Sequence, residues 1–560
     1  MVGALQAQTL NAVGTSASSA GEYQFAPSER PAFPGSPFSP SHTRERRIAY
    51  CIVGIVVGIS STFGNALVNV NIPYLSGPLG LYVSEASWLP AIYVAMNATA
   101  NLTMVKARAQ FGIPTIIHGL LIAYALVGFS QIVFPGFAAA ALTRAISGMT
   151  AGALVTLSIY YLMQVFPAKL RPLAVVIGVA LPQTGTPLAR LVPVEMLAAS
   201  GWHGLHLIEP AVALFVLALV LTFPLPPNER SKAFQPLDLV TIGLVVPAML
   251  LICGVLGQGR LMWWTDTPWL GWMLAAAIPL LAIAIILETN RKQPLLQLGW
   301  MGSTTILRFA AVALFVRIAL AEQTYGSVGL LTSGGLDNDQ LHALFSFVLL
   351  AMVLGTITAM VTLSERRIPW QIAIAALIIA AGAFIDSSAS NLTRPPQLYL
   401  SQAIIGFGTT LFVGPALVYG VSRVFEKGAG HLVSMAVLYS TTQNVGGLVG
   451  SALLGTYQSV QARAHAVWLS EHLLGSDPQV MDRLQTGAAA ISNAVTDPFL
   501  QAAGGAALLN HNLMSEANIL AYNDVFRAVG IFAVLSAAYV LYLIMLAARR
   551  RALTHAGAIQ

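Results

Sequence analysis

Apolar residues run along this chain in long blocks separated by short polar connections. From residue 48 onward there are fourteen such blocks, at 48–72, 87–106, 114–135, 138–164, 172–197, 205–224, 239–258, 267–287, 304–331, 341–363, 369–387, 398–422, 432–457 and 523–546. About 20 residues at a helical rise of about 1.5 Å each cross a hydrocarbon layer of about 30 Å. The pattern therefore predicts an all-α integral membrane protein with fourteen transmembrane helices. Residues 1–43 show no sustained apolar period and are rich in Ser, Ala, Gly and Pro, which predicts a disordered tail. A cleavable leader is not expected, because Arg44, Arg46 and Arg47 follow it and the next apolar run is too long for a signal-peptide core.

Composition sharpens the expectation. Of 560 residues, 56% are hydrophobic and 9% charged, and mean hydropathy is +0.72. A soluble domain carries about 25% charged residues and needs a polar skin, so a soluble enzyme is excluded. The net charge of +6 would suggest nucleic acid if it were not so unevenly placed. Nineteen of the 28 basic residues fall in the tails and in alternate connections, beginning with Arg44, Arg46 and Arg47 and ending with Arg549, Arg550 and Arg551. Cytoplasmic connections hold most Lys and Arg, so both termini are expected in the cytoplasm, and no nucleic-acid partner is implied. Cys51 and Cys253 lie in apolar runs, and no Walker A, HExxH or GxSxG sequence is present. Neither a metal, a disulfide nor an enzymatic activity is expected. Low lysine use and high alanine suit a bacterial genome rich in GC.

The second and tenth spans end alike, Met104-Val105 before Ile113-Pro114 and Met360-Val361 before Ile368-Pro369. On that register spans 1–6 match spans 9–14. The expected organisation is a tail over 1–47, a six-helix bundle over 48–224, two inserted helices within 225–300, and a second six-helix bundle over 301–548 with a long outer loop at 458–522. A short tail over 549–560 follows. Paired six-helix bundles are a layout of secondary transporters, with the substrate held between them near mid-membrane.

Against so apolar a background, the charges inside spans stand out, since each costs at least about 2.5 kcal/mol to insert. Arg144, Arg190, Glu195 and Glu209 share the outer half of the first bundle, where they form a neutral clamp across three helices, a proton relay or a substrate contact. Arg317 and Glu322 lie in the ninth span but point roughly 140° apart on a helix, so each needs a partner elsewhere. Gln323 follows Glu322. Gly148 and Gly152, and Gly446, Gly447 and Gly450, have the spacing that lets helices approach closely. Pro182 and Pro187 flank Gly185, where a bend can act as a hinge. Asn65 and Asn69 share a helical face that can line a polar cavity, with Asn71 nearer the interface. The outer loop holds an amphipathic helix, Val467 to Gln485, broken at Asp477-Pro478.

Several of these stretches carry a family resemblance. Arg144-Ala-Ile-Ser-Gly148-Met-Thr-Ala151-Gly152 is similar to an RxxQGxxAG motif, Gly201-Trp202 through Glu209 to GWRWIFLIN, Asn69-Val-Asn-Ile-Pro73 to NVAIP, and Ser87-Trp88 through Tyr93 to a WV.TSY helix start. Together they resemble the fourteen-helix drug:proton antiporters of the EmrB/QacA type in the major facilitator superfamily, from about residue 48 to 548. The departures matter as much. The acid that the family often places before NVAIP falls on Gly64; Val105 to Gly112 lacks the Asp of the loop motif; Ser147 replaces the motif Gln; and Arg190 enters a seam that glycine usually packs.

The resemblance implies proton-coupled efflux of amphipathic small molecules across a bacterial inner membrane. It implies no cofactor beyond the proton gradient. Proton coupling is expected at Glu322, Arg144 and Glu209; substrate contact at Arg317, Arg190, Asn65, Asn69 and Gln323; and conformational roles at Gly148, Gly152, Pro182, Gly185 and Pro187. The arginines lean the substrate toward aromatic or other weak organic acids. The long outer loop, as in relatives that work with one, implies a periplasmic adaptor protein as partner, beside membrane lipid and the substrate itself. The alternatives are a metabolite importer of the same fold and a non-transporting membrane sensor.

Overall fold

The structure, a computed structural model, describes residues 29, 31, 35–77 and 80–557. The described residues hold no β-strand, only an isolated bridge between Pro37 and Asn228. The helices are α1 (Arg44–Leu75), α2 (Trp88–Phe111), α3 (Ile113–Val133), α4 (Phe137–Met163), α5 (Arg171–Ala180), α6 (Gly185–Arg190), α7 (Val194–Thr222), α8 (Pro236–Gln258), α9 (Pro268–Thr289), α10 (Thr304–Ala319), α11 (Glu322–Ser333), α12 (His342–Val361), α13 (Ile368–Asp386), α14 (Tyr399–Lys427), α15 (Leu432–Glu471), α16 (Pro478–Ala490) and α17 (Pro498–Gly557). Four-residue helical turns at Val83–Ala86 and Leu298–Met301 are left unnumbered. Several helices start at proline, where the missing N–H costs nothing: Pro114, Pro172, Pro236, Pro268 and Pro369 all lie in a first turn. Gly112, at φ +88°, makes the one-residue turn from α2 into α3.

Among the described residues, eleven helical segments are long and apolar enough to cross a membrane. α2 and α15 are not among the eleven because polar side chains such as Asn97 and Asn444 interrupt their apolar runs, and α10 and α11 are not because, at 16 and 12 residues, each is too short by itself. They are packed inside the bundle all the same. α2 lies on α4 and on α15, and α10 lies on α15 and α17.

The helices form two groups. In the first, α2 packs on α4, α3 on α7, and α1 on α6 and α7; in the second, α12 packs on α14, α13 on α17, and α10 on α15 and α17. The groups meet along two seams, α2 against α15 and α5–α6 against α12, with α5 also touching α14. α8 and α9 pair with each other and lean on α2. A buried network fastens them there. Asp238 accepts from Lys106 (2.7 Å) and from Arg291 (2.7 Å), and Arg291 also reaches Glu288 (2.6 Å).

Several boundaries differ from the sequence expectation. The fifth span ends at Arg190 and Pro193 precedes α7, so Glu195 sits exposed in the first turn of α7. The ninth span is broken. The Ala321 amide turns back to the Ile318 carbonyl (3.1 Å) before Tyr325 resumes bonding to Ala321 (2.9 Å), and neither proline nor glycine marks the place. Gly450 of α15 is pressed against it, since a Cβ there would stand 2.7 Å from that of Ala321.

The expected outer loop is helical. α15 has 40 residues and α17 has 60, so both run far past a 20-residue crossing. α16 packs on α17 between them, capped by Asp477, which accepts from the Gln479 amide (2.8 Å). The tail is not wholly loose either. Among residues 35–43, Phe38 donates to the Pro227 carbonyl (3.0 Å) and accepts from Gln164 (3.1 Å), while His42 bonds the Gln164 Oε1 (2.9 Å). Residues 1–28 lie outside the described residues.

Candidate functional site

Between the two groups lies a cavity of about 590 Å³. Its wall comes from α1, α2, α4, α5, α6, α10, α14 and α15, so both groups contribute. It reaches Arg108, Tyr160, Val421 and Leu432, at the ends of helices on the face where α1 begins, here called the near face. The charged residues among those lining it are Arg108, Arg190 and Arg317; no carboxylate is among them.

Arg317 enters from α10 just before the break. Its Nε donates to the Gln443 carbonyl (2.8 Å), and its guanidinium lies flat on α15, where a Cβ at Gly447 would stand 2.8 Å from Nη2. Glycine at 447 is what leaves room for it. Asn65 and Asn69 line the same space, and the Asn65 Oδ1 and the Gln443 side-chain amide are buried without a partner. Such atoms cost about 1–3 kcal/mol each when left unmade, so they are ready to bond a ligand.

Behind the wall in the first group, Arg144 of α4 pairs with Glu209 of α7 through Nη2 and Oε1, both side chains being buried. Tyr124 of α3 donates to the same Oε1 (3.0 Å). Gly148 and Gly152 bring α4 onto α2: a Cβ at Gly148 would meet the Tyr93 carbonyl at 2.6 Å, and one at Gly152 the Ala100 Cβ at 2.7 Å. They act through packing, as does Gly185, which lies against Thr62 of α1. The Thr62 hydroxyl donates to the Pro182 carbonyl (2.6 Å), in the 3-10 turn that separates α5 from α6.

Behind the wall in the second group, Glu322 begins α11 and is fully buried. The amide nitrogen of Gln402, on α14, donates to its Oε1 (3.0 Å) and to Oδ2 of Asp386 at the end of α13 (2.7 Å). Two buried carboxyls thus share one amide.

At the opposite, far face, the groups are tied by the stretch Asp337-Asn338-Asp339. Arg190 Nη1 donates to Asn338 Oδ1 (3.0 Å), Asn338 Nδ2 returns a bond to the Arg190 carbonyl (3.3 Å), and the guanidinium lies 5.1 Å over the Phe345 ring. The Val194 amide donates to Asp339 (3.1 Å), and the Tyr74 hydroxyl to Asp337 (3.2 Å).

A family profile described as Major Facilitator Superfamily matches residues 54–451. The chain belongs to that superfamily. Among solved structures, a bacterial homologue of the human drug peptide transporters PepT1 and PepT2 aligns at TM-score 0.52 and 13% identity, over 90% of this chain and 99% of that one. The proton:xylose symporter XylE aligns at 0.51 and 15%, over 88% and 96%. At such identities the likeness shows the fold alone. No curated protein sequence matches.

Within this major facilitator fold, the sequence-predicted residues separate into distinct places. Arg317, Arg190, Asn65 and Asn69 line the cavity, whereas Gln323 does not: its amide donates to the Gln402 carbonyl (3.3 Å). The four-residue clamp does not exist as a unit. Arg144 and Glu209 pair, Arg190 crosses to the other group, and Glu195 is exposed. Asn71, expected near the interface, is fully buried and donates to Leu67 of its own helix (2.8 Å). Arg527 sits on α17 beside Asp524 (3.2 Å), which also holds His465 of α15 (2.7 Å). Asp386, Gln402 and Asn338 were missed, each lying at a span end or carrying no charge.

Proposed function

We propose that this superfamily member is a proton-coupled exporter of small amphipathic molecules, chiefly aromatic and other weak organic acids, in a bacterial inner membrane. All fourteen helical segments cross the membrane in this reading, the near face is cytoplasmic, and both termini lie there. The observation that carries the substrate class is the cavity wall, with three arginines and no carboxylate. A guanidinium held by a backbone carbonyl keeps its full charge, and with no acid beside it a carboxylate ligand completes the pair. Apolar lining such as Val155, Leu417 and Leu448 suits the organic body of such a ligand.

The far-face ties and the extent of the cavity to the near-face helix ends describe the inward-facing member of a rocking cycle. Coupling falls to the two buried acid sites. Glu322 carries the transported proton, and the Arg144–Glu209 pair governs its release. The helical extension of α15, α16 and α17 projects on the outer side, where Trp468, Leu474 and Phe499 are each exposed and available to a periplasmic adaptor.

The test is transport in inverted membrane vesicles energised by a proton gradient, using a fluorescent aromatic carboxylate and a cationic dye of similar size. Gradient-dependent movement of the carboxylate, lost in Glu322→Gln, is expected. Export of the dye without the carboxylate overturns the substrate class, and full coupled transport by Glu322→Gln overturns the role of that residue.

A further inference from the structure

We infer that Glu322 and Asp386 form one proton-binding unit, holding a single proton between them under the Gln402 amide. The inference deepens the proposed coupling role of Glu322 and rests on it only for its physiological meaning. Asp386 is 2% exposed, Gln402 1% and Glu322 0%. The Glu322 Oε2 and the Asp386 Oδ1 are both buried with no hydrogen-bond partner, so each presents an open acceptor to an incoming proton.

The surroundings supply no countercharge. α17 contributes Phe526 and Tyr522, packed where Gly326 and Gly329 leave room, and α15 contributes Gly450. Ser401 on α14 donates to the Leu398 carbonyl (3.1 Å), and its neutral hydroxyl also neighbours the Asp386 carboxyl. Arg260 lies over the Tyr325 ring (5.4 Å), and Arg317 is turned to the Gln443 carbonyl. Two ionised carboxylates sharing one site repel strongly, and sharing a proton is the usual resolution.

A metal cation is the other way to neutralise two acids, and the geometry disfavours it. Such an ion needs several oxygen ligands converging on one point. Here the point between the carboxyls is taken by an N–H donor. The amide suits a proton instead, because it fixes one oxygen of each acid and leaves the other oxygen free. The break between α10 and α11 adds a mechanical link, since Arg317 in the cavity wall and Glu322 in the proton unit lie on either side of Leu320 and Ala321. Protonation of the unit and occupation of the cavity therefore bear on the same hinge.

Infrared difference spectroscopy of the full chain in lipid, between acid and alkaline pH, tests this without any transport substrate. The expected result is a protonated-carboxyl band, shifted in heavy water, that is lost in both Glu322→Gln and Asp386→Asn. The double variant loses no more than either single one. Asp386→Glu restores the band, and Gln402→Leu moves its frequency without removing it, which covers the case that the asparagine variant misfolds. An unchanged band in Asp386→Asn overturns the shared proton. So does its replacement by sodium or potassium chloride at constant pH, which would mark a cation site. If vesicles show no proton-linked transport while the band behaves as expected, the transport reading fails and the proton unit stands.

Discussion

Gly64 of α1 faces Glu209 of α7: a Cβ at position 64 would stand 3.2 Å from the Glu209 Oε1 and 2.6 Å from the Tyr124 hydroxyl. Position 64 is where the family resemblance places an acid, and position 209 is where it places an asparagine. In this chain the carboxylate reaches the same space from the other helix, and the missing side chain on α1 is what makes room for it. The absence of an acid at 64 is therefore no argument against coupling through Arg144.

That arrangement predicts a separation of stability from coupling. Glu209→Gln leaves the Arg144 guanidinium buried and unpaired, and breaking such a pair costs about 3–5 kcal/mol. A lower melting temperature in detergent is expected, together with loss of proton-driven transport. The double change Arg144→Met with Glu209→Leu removes both charges at similar volume and should recover most of the stability. Coupled transport should stay lost. If the double variant transports normally, the pair is only a clamp.

Arg317 carries a different prediction. A hydrogen bond to a charged group contributes about 1.5–3 kcal/mol, and one such bond to a bound carboxylate corresponds to roughly ten- to hundredfold in affinity. Arg317→Gln should raise the half-saturating concentration for an aromatic carboxylate at least tenfold in vesicles, with little change in melting temperature because Arg317 has no acid partner to strand. Arg317→Lys should recover part of the loss. An unchanged concentration dependence removes Arg317 from the substrate site.

Much of the fold was legible before any coordinates, and the reason is physical. Blocks such as 114–135 and 267–287 are apolar on all sides, so length alone marks them. The ninth span was harder. Its break at Leu320 and Ala321 is packed against Gly450 of α15, and neither proline nor glycine stands at the break itself to mark it. Asp386 escaped notice because it ends an apolar run and looks like an interfacial residue; only the fold turns α13 so that it meets Gln402. Within the long outer loop, Val467 to Gln485 reads as an amphipathic helix interrupted at Asp477-Pro478, and there α15 ends at Glu471 and α16 begins at Pro478. The alanine-rich residues beyond it have helix propensity but no clear apolar period.

The far-face tie gives the last prediction. Arg190 entered as a substrate contact, yet its Nη1 is already bonded to Asn338 and its ring contact is Phe345, both in the second group. A residue bonded and stacked across the seam helps to hold that seam shut. Asn338→Ala removes an acceptor from a charged donor, a loss of about 1.5–3 kcal/mol from the closed arrangement alone. A two-state equilibrium responds to any interaction made in only one state, so the far side should open more often, by roughly ten- to hundredfold. With Cys51 and Cys253 replaced by serine, a cysteine at position 70, in the cavity wall on the far side, reports the change through alkylation by a membrane-impermeant reagent added outside. Faster labelling in Asn338→Ala, with unaltered half-saturation for the carboxylate, assigns Arg190 to the gate. Unaltered labelling with weakened half-saturation returns it to the substrate site.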